Sequence, residues 1–219
     1  MPGKRLKKVV IVGAGGLGRE TLWLLRDQIR GGEKTEIAGF IDDAREKIGA
    51  KIAGLKVLGN SRWLMERLEE FEVVLAVGEI NAKKRLAEKL QGQGAKFRTV
   101  IHPQVNCSPD ASVGEGTIIF PQVALSANVR VGKFVLLNPG ITLSHDVEIG
   151  DYSLIGSGAH LAGAVKVGEE CEIGTGANLI PRVKVGAGTI IGAGATVLKD
   201  LPANVVAVGV PARVIKARL

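Results

Sequence analysis

Cysteine, histidine and long apolar runs are scarce in this 219-residue chain, and each scarcity closes a class. Cys107 and Cys171 are too few for a disulfide framework and fall at different places of the repeat described below. They read as reduced core residues of a cytosolic, hence cytoplasmic, protein. The apolar run near the start, Val9 to Val12, breaks at Gly13. It suits a strand rather than a signal peptide, and no later stretch is long enough to span a membrane. Aromatic residues make up 4% and do not interleave with arginine, so nothing points to nucleic acid. The three histidines, His102, His145 and His160, are 43 and 15 positions apart, which is no metal-ligand spacing.

Charge is uneven. Up to residue 101 there are 20 Lys/Arg against 13 Asp/Glu, and beyond it nine of each, so the whole excess of seven lies in the first part. Such a balance suits an anionic ligand such as a nucleotide, or simply a basic solvated surface.

The strongest pattern runs from Val113 to Val197, where every sixth residue is aliphatic without a gap: Val113, Ile119, Leu125, Val131, Leu137 and onward. A helix drifts out of phase with that interval, whereas a parallel β-helix keeps it. Three hexads make one triangular coil, so residues eighteen apart stack in columns. One column after the aliphatic position reads Gly114, Gly132, Gly150, Gly168, Gly186, and another Phe120, Asn138, Gly156, Gly174, Gly192. The expectation is that these glycines, and Asn138 among them, turn the corners with positive φ. The fifth position is small or β-branched, from Thr117 and Val123 onward. After Val197 the repeat dissolves, and a polar or looped segment is expected to cover the last coil.

Ahead of the hexads the chain alternates. A strand from Lys7 to Val12 is followed by Gly13-Ala14-Gly15-Gly16-Leu17-Gly18 and a helix to about Arg30, the order of a nucleotide-binding βα unit. Gly13, Gly15, Gly16 and Gly18 let backbone N–H groups approach a phosphate. A second strand, Glu36 to Ile41, ends at Asp42-Asp43, where a carboxylate can accept from a ribose or base or simply start the loop. Strands at 55–58, 72–77 and 96–101 and helices from Ser61 and over 81–91 complete the unit. About one hundred residues suffice for one mononucleotide-binding half and leave too little chain for the doubled fold of a dehydrogenase. The predicted class is α/β plus all-β: a small Rossmann-like parallel-sheet domain over 1–101, then a parallel β-helix of hexapeptide repeats over 102–219 with a C-terminal cap.

The glycine-turn domain, the Ile101-His102-Pro103 junction, the unbroken hexads with Ser144-His145-Asp146 and the closing Val208-Gly209-Val210-Pro211-Ala212-Arg213 together resemble the sugar-nucleotide acetyltransferases of the bacillosamine and perosamine type, often labelled sialic acid O-acetyltransferases. The resemblance covers nearly the whole chain. It implies a left-handed β-helix, a homotrimer with active sites between subunits, acetyl-CoA as donor without a metal, and a nucleotide-linked amino sugar held by the N-terminal domain. It further implies His145 as general base, Asp146 tuning the imidazole, a backbone N–H at Gly163 facing the acetyl group, and Asn138 near the site. Many members carry a second histidine nine residues after the first; Leu154 stands there in this chain.

The residues permit that chemistry. Acyl transfer needs a base for the proton and a donor for the oxyanion. His145 lies in a column with Ala127 below and Gly163 above, small neighbours that leave room for a ligand against the ring. Lys199 is three coils above His145, about 14 Å by strand spacing, where a pantetheine arm along the axis would bring its phosphates, with Arg213 and Lys216 as further candidates. His160 reads as part of a polar surface ladder, and His102 as structural. With no insertion between Val113 and Val197, no loop folds over the acceptor, which favours one large enough to be gripped elsewhere. Two alternatives remain open, O-acetylation of a sialic acid-type sugar and a non-catalytic trimeric nucleotide-binding scaffold.

Overall fold

A computed structural model describes residues 7–218. Internal contacts divide the chain into two units, one up to Pro103 and one from Gln104 onward. In the first unit, strand β1 (Lys7–Val12) runs through its centre, with Val9, Val10 and Ile11 wholly buried. Helix α1 (Gly16–Arg30) follows and turns a stripe of Thr21, Leu22, Leu24 and Leu25 inward. Then come β2 (Thr35–Ile41), the short β3 (Lys51–Ile52), β4 (Leu55–Gly59), α2 (Ser61–Met65), β5 (Glu72–Leu75), α3 (Ile80–Gln91) and β6 (Lys96–Phe97). The sheet order is β3-β4-β2-β1-β5-β6, parallel throughout except for the β3–β4 hairpin. The chain therefore reverses direction across the sheet at β1, with β2 on one side and β5 on the other. Crevices for ligands open at the carboxyl ends of strands at such a point.

The hairpin partner β3 has no signal in the sequence, because two residues carry no period. The strand expected over 96–101 is broken into Lys96–Phe97 and Val100–Ile101. Buried His102, expected to be structural, closes this unit: its Nε2 lies 3.1 Å from Asp27 Oδ2 and its ring lies against Trp23.

The second unit is a stack of two-residue strands, each pairing in parallel with the strand eighteen residues on. Asn106–Cys107, Ala124–Leu125, Thr142–Leu143, His160–Leu161, Asn178–Leu179 and Thr196–Val197 form one face. Arg130–Val131, Glu148–Ile149, Lys166–Val167 and Lys184–Val185 lie within a second, and Ile118–Ile119, Leu136–Leu137, Leu154–Ile155 and Glu172–Ile173 within the third. Each aliphatic residue of the period points inward, and so does the residue two before it: Val123, Val129, Val135, Ile141, Val147, Ala159 and Val165 are all buried. Where that inner residue is polar it bonds to the next coil. Thr117 donates to Gly132 O at 2.8 Å, Ser153 to Gly168 O at 2.9 Å and Cys171 to Gly186 O at 3.2 Å. Cys171 is thus a core thiol, as expected. Cys107 is not, for it is exposed at the first coil.

The corners correct the sequence reading. Positive φ falls three residues after the inward aliphatic, at Asn128, Phe134, Asp146, Tyr152 and Ala164 among others, and not at the glycine that follows it directly. Proline stands one place earlier at Pro121, Pro139 and Pro181, ahead of Gln122, Gly140 and Arg182. Proline followed by positive φ is the pattern of a type II turn. The glycine column has another cause. A Cβ on Gly150 would lie 2.4 Å from Glu169 N, and one on Gly174 would lie 2.5 Å from Ala193 N, because the backbone of the next coil passes there. Asn138 is no left-handed turn either; its Nδ2 donates to Ile155 O at 3.0 Å, one coil up. The expected cap at the end of the stack is a paired hairpin, Val205–Val208 lying parallel to Ile190–Ile191 and antiparallel to Arg213–Ala217.

Candidate active site

His145 occupies the second place of a type II corner, directly after the strand Thr142–Leu143. Asp146, the next residue, has φ +61°, and this conformation swings its carboxylate back toward the ring. Adjacent residues on a strand point apart, but this corner brings the pair together, with Nδ1 2.8 Å from Asp146 Oδ2. A carboxylate only accepts, so Nδ1 is the donor and the lone pair of the neutral ring sits on Nε2. Asn128, one coil below, donates Nδ2 to the other oxygen, Asp146 Oδ1, at 3.2 Å. The bond from His145, followed by that from Asn128, holds the Asp146 carboxyl below its ordinary value.

The ring lies over Gly163. A Cβ at that position would meet His145 Nε2 at 2.5 Å and Cε1 at 2.7 Å. The space expected for a ligand between the coils is therefore filled by the imidazole itself, and only glycine allows it to lie there. The Gly163 N–H has no acceptor among the described residues, while its carbonyl accepts from Arg182 N at 2.9 Å. The His145 side chain is 65% exposed and open to an incoming group. Beside the corner, a groove of about 300 Å³ is lined by Thr142, Ser144, His160, Ala162, Asn178, Ile180 and Pro181. His160 Nδ1 lies 2.7 Å from Thr142 Oγ1 in this groove, the polar ladder expected of it.

In the other unit, the glycine turn divides by role. Gly13 has φ +102° and a Cβ there would strike Ala76 O at 2.4 Å, while a Cβ on Gly18 would strike Gly13 O; both are needed by packing. Gly15 and Gly16 are exposed with nothing near their Cβ positions, and α1 begins with no side-chain cap. The Asp42 carboxylate ties the turn down. It accepts from Ala14 N at 2.9 Å and Ala44 N at 3.0 Å, and pairs with Lys47 Nζ at 3.0 Å. Burial pushes its carboxyl up, yet these three bonds together hold it below the ordinary value. Asp43 accepts from Ser61 N at 2.7 Å. A cavity of about 230 Å³ opens here, lined by Val12, Gly13, Ile41, Asp42, Asp43, Val77, Ala82 and Leu86, at the carboxyl ends of β1, β2 and β5.

None of the remaining candidates lines the groove beside His145. Lys199 is exposed and makes no bond among the described residues, and the exposed Arg213 bonds only to the neighbouring Ala212 O. Asn138 is engaged with the next coil, as described. Lys47 and Asn128 were not singled out from sequence, although Asn128 lies eighteen before Asp146 and column arithmetic alone puts them together. Among the described residues no group of three His, Cys, Asp or Glu could hold a metal ion.

Residues 8–90 match the family model described as PglD N-terminal domain, and residues 164–199 match bacterial transferase hexapeptide (six repeats). A histidine-to-asparagine variant of perosamine N-acetyltransferase from Caulobacter crescentus, solved in complex with CoA and GDP-perosamine, is 32% identical, covers 95% of this chain and 97% of that one, and superposes with a TM-score of 0.88. The chain belongs to the sugar-nucleotide acetyltransferase family. The stacked hexads of this acetyltransferase-family chain form a left-handed β-helix. The acetyltransferase domain of PglB from Neisseria gonorrhoeae, in complex with acetyl coenzyme A, is 29% identical over 95% of this chain and 99% of that one, with a TM-score of 0.86. The UDP-N-acetylbacillosamine N-acetyltransferase of Bacillus subtilis is 34% identical over 122 residues, 51% of this chain and 50% of that protein, so the match spans about half the length of this curated relative. No helix among the described residues is long and apolar enough to cross a membrane.

Proposed function

We propose that this chain transfers the acetyl group of acetyl-CoA to the amino group of a nucleotide-linked amino sugar, with His145 as general base. The observation that carries the proposal is the order Asp146, His145, Gly163: a carboxylate fixing Nδ1, an exposed ring whose Nε2 is free, and an unused backbone N–H beside it. Nε2 takes a proton from the sugar amine as its nitrogen attacks the thioester carbonyl. The Gly163 N–H donates to the developing oxyanion. Collapse of the tetrahedral intermediate breaks the carbon–sulfur bond, and the imidazolium returns its proton to the leaving thiolate. Leu154, where many relatives have histidine, offers no proton and leaves the carbonyl to the backbone donor.

The groove beside the corner fits the pantetheine arm better than a line toward Lys199, because Ser144 and Ala162 open directly from the His145 turn. The glycine turn with Gly15, Gly16 and the cavity at Asp42 and Asp43 suits the nucleotide. The bound molecules named for the perosamine and PglB structures support both assignments. A ring 65% exposed on a convex corner has no second wall, and a homotrimer supplies one from a neighbouring copy. The cytoplasm, where acetyl-CoA is made and used, is the compartment that suits the reaction.

Thiol release from acetyl-CoA in the presence of UDP- and GDP-linked amino sugars tests the proposal. Release that depends on one of these acceptors, with acetyl found on nitrogen, is expected. Release only with hydroxyl acceptors would move the reading to O-acetylation, and nucleotide binding with no release to a scaffold.

A further inference from the structure

Among the described residues Lys83 is the one buried Lys, Arg, Asp or Glu, and the reading above gives it no role. It lies in the first turn of α3, on the inward face with Ile80, Ala87 and Leu90, and is 3% exposed. Its Nζ has no hydrogen-bond partner among the described residues. Burial lowers its pKa to about 8. The carboxylates at this end of the sheet are all engaged with backbone amides: Asp42 with Ala14 and Ala44, Asp43 with Ser61, and Glu79 with Asn81 and Ala82. The cation Lys47 is paired with Asp42.

A buried ammonium without a counter-ion is costly, and such a group persists where a ligand completes it. Side chains on a helix lean toward its N-terminus, so the stem of Lys83 leads toward the loop Val77–Glu79 and the carboxyl ends of the strands. Its helix neighbours Ala82 and Leu86 line the cavity there. The residues around that loop face the glycine turn: a Cβ built on Gly13 would lie 2.4 Å from Ala76 O, and one built on Gly78 would lie 4.0 Å from Leu17 Cδ2. A phosphate drawn to the uncapped start of α1 at Gly15 and Gly16 thus has the first turn of α3 across from it.

We infer that Lys83 is the anion-binding group of this cavity, its ammonium moving from behind Ala82 and Leu86 to pair with the diphosphate of the bound nucleotide. The inference rests on the reading of the first unit as the nucleotide-binding part and names the group that holds the phosphates. Isothermal titration of the full chain with UDP and GDP, and with uridine and guanosine, tests it at pH 8 in two buffers of different ionisation enthalpy. The wild-type chain is expected to bind one diphosphate with uptake of roughly half a proton, since Lys83 is about half charged before binding. Lys83→Met is expected to weaken that diphosphate roughly tenfold to a hundredfold, to leave the nucleoside unchanged and to abolish the uptake. Lys83→Arg restores affinity without the uptake, because arginine stays charged. Diphosphate binding by Lys83→Met equal to the wild type, or equal loss of nucleoside and diphosphate, overturns the role of Lys83 alone. Failure of the wild type to bind either diphosphate overturns the nucleotide site with it.

Discussion

In the proposed reaction Nε2 of His145 is the base, and the bond of Nδ1 to Asp146 leaves the lone pair on Nε2. An asparagine at 146 presents either an oxygen or an NH2 group to Nδ1 and no longer selects one tautomer. Asp146→Asn is therefore expected to lower kcat by roughly 10 to 100-fold with little change in either KM. A loss confined to the KM for acetyl-CoA would instead make Asp146 a binding residue. Lys83 gives a second test at this scale, through stability. Its pKa is about 8 in the folded chain against 10.5 for the ordinary side chain, so between these values the unfolded chain binds more protons and stability rises with pH. The rise amounts to roughly 3 kcal/mol at most. Below pH 8 both states are charged and the penalty is constant. Urea unfolding followed by Trp23 and Trp63, both in the first unit, is expected to show this rise for the wild type. Lys83→Met is expected to lack it and to be the more stable protein at pH 7; equal pH profiles would contradict the burial of a bare ammonium.

At the scale of the elements, the hexad turns separate two uses of glycine that sequence alone merges. The period of the inward aliphatics made the coil and its columns legible, since nothing but a stacked solenoid keeps Val113 to Val197 in phase. The column after each aliphatic looked like a turn column because glycine is permissive, and a one-dimensional pattern does not tell a positive φ from a close approach. Gly150 is fixed by the backbone of the next coil at 2.4 Å, whereas Gly158 has φ +65° and open space around it. Gly150→Ala is accordingly expected to cost about 3 kcal/mol and Gly158→Ala roughly 1 kcal/mol, read from urea midpoints of the two variants. A larger loss at Gly158 would restore the conformational explanation. The α/β elements were read from their apolar runs to within a few residues. Lys83 escaped notice, although its spacing of three from Ile80 and seven from Leu90 puts a lysine on the buried face of α3.

For the whole molecule, the proposed reaction assigns the nucleotide to the N-terminal unit and the transfer to the β-helix. The pairing of His145 with Asp146 was legible as adjacency but not as contact, because the swing of the corner depends on φ at one residue. Column distance along the axis points to Lys199, with Arg213 as a further candidate, and both are exposed, so the proposed path runs through the groove at Ser144 and Ala162. If the division holds, Asp42→Ala, which frees Ala14, Ala44 and Lys47 in the glycine turn, raises the KM for the sugar nucleotide by roughly tenfold or more and leaves that for acetyl-CoA unchanged. Equal changes in both would remove the division. The central claim is tested most directly by single-turnover acetyl transfer with His145→Ala at saturating acetyl-CoA and acceptor. A fall in rate of roughly 10² to 10⁴-fold, with acetyl-CoA affinity and the thermal midpoint kept, is predicted, and transfer at the wild-type rate would contradict it.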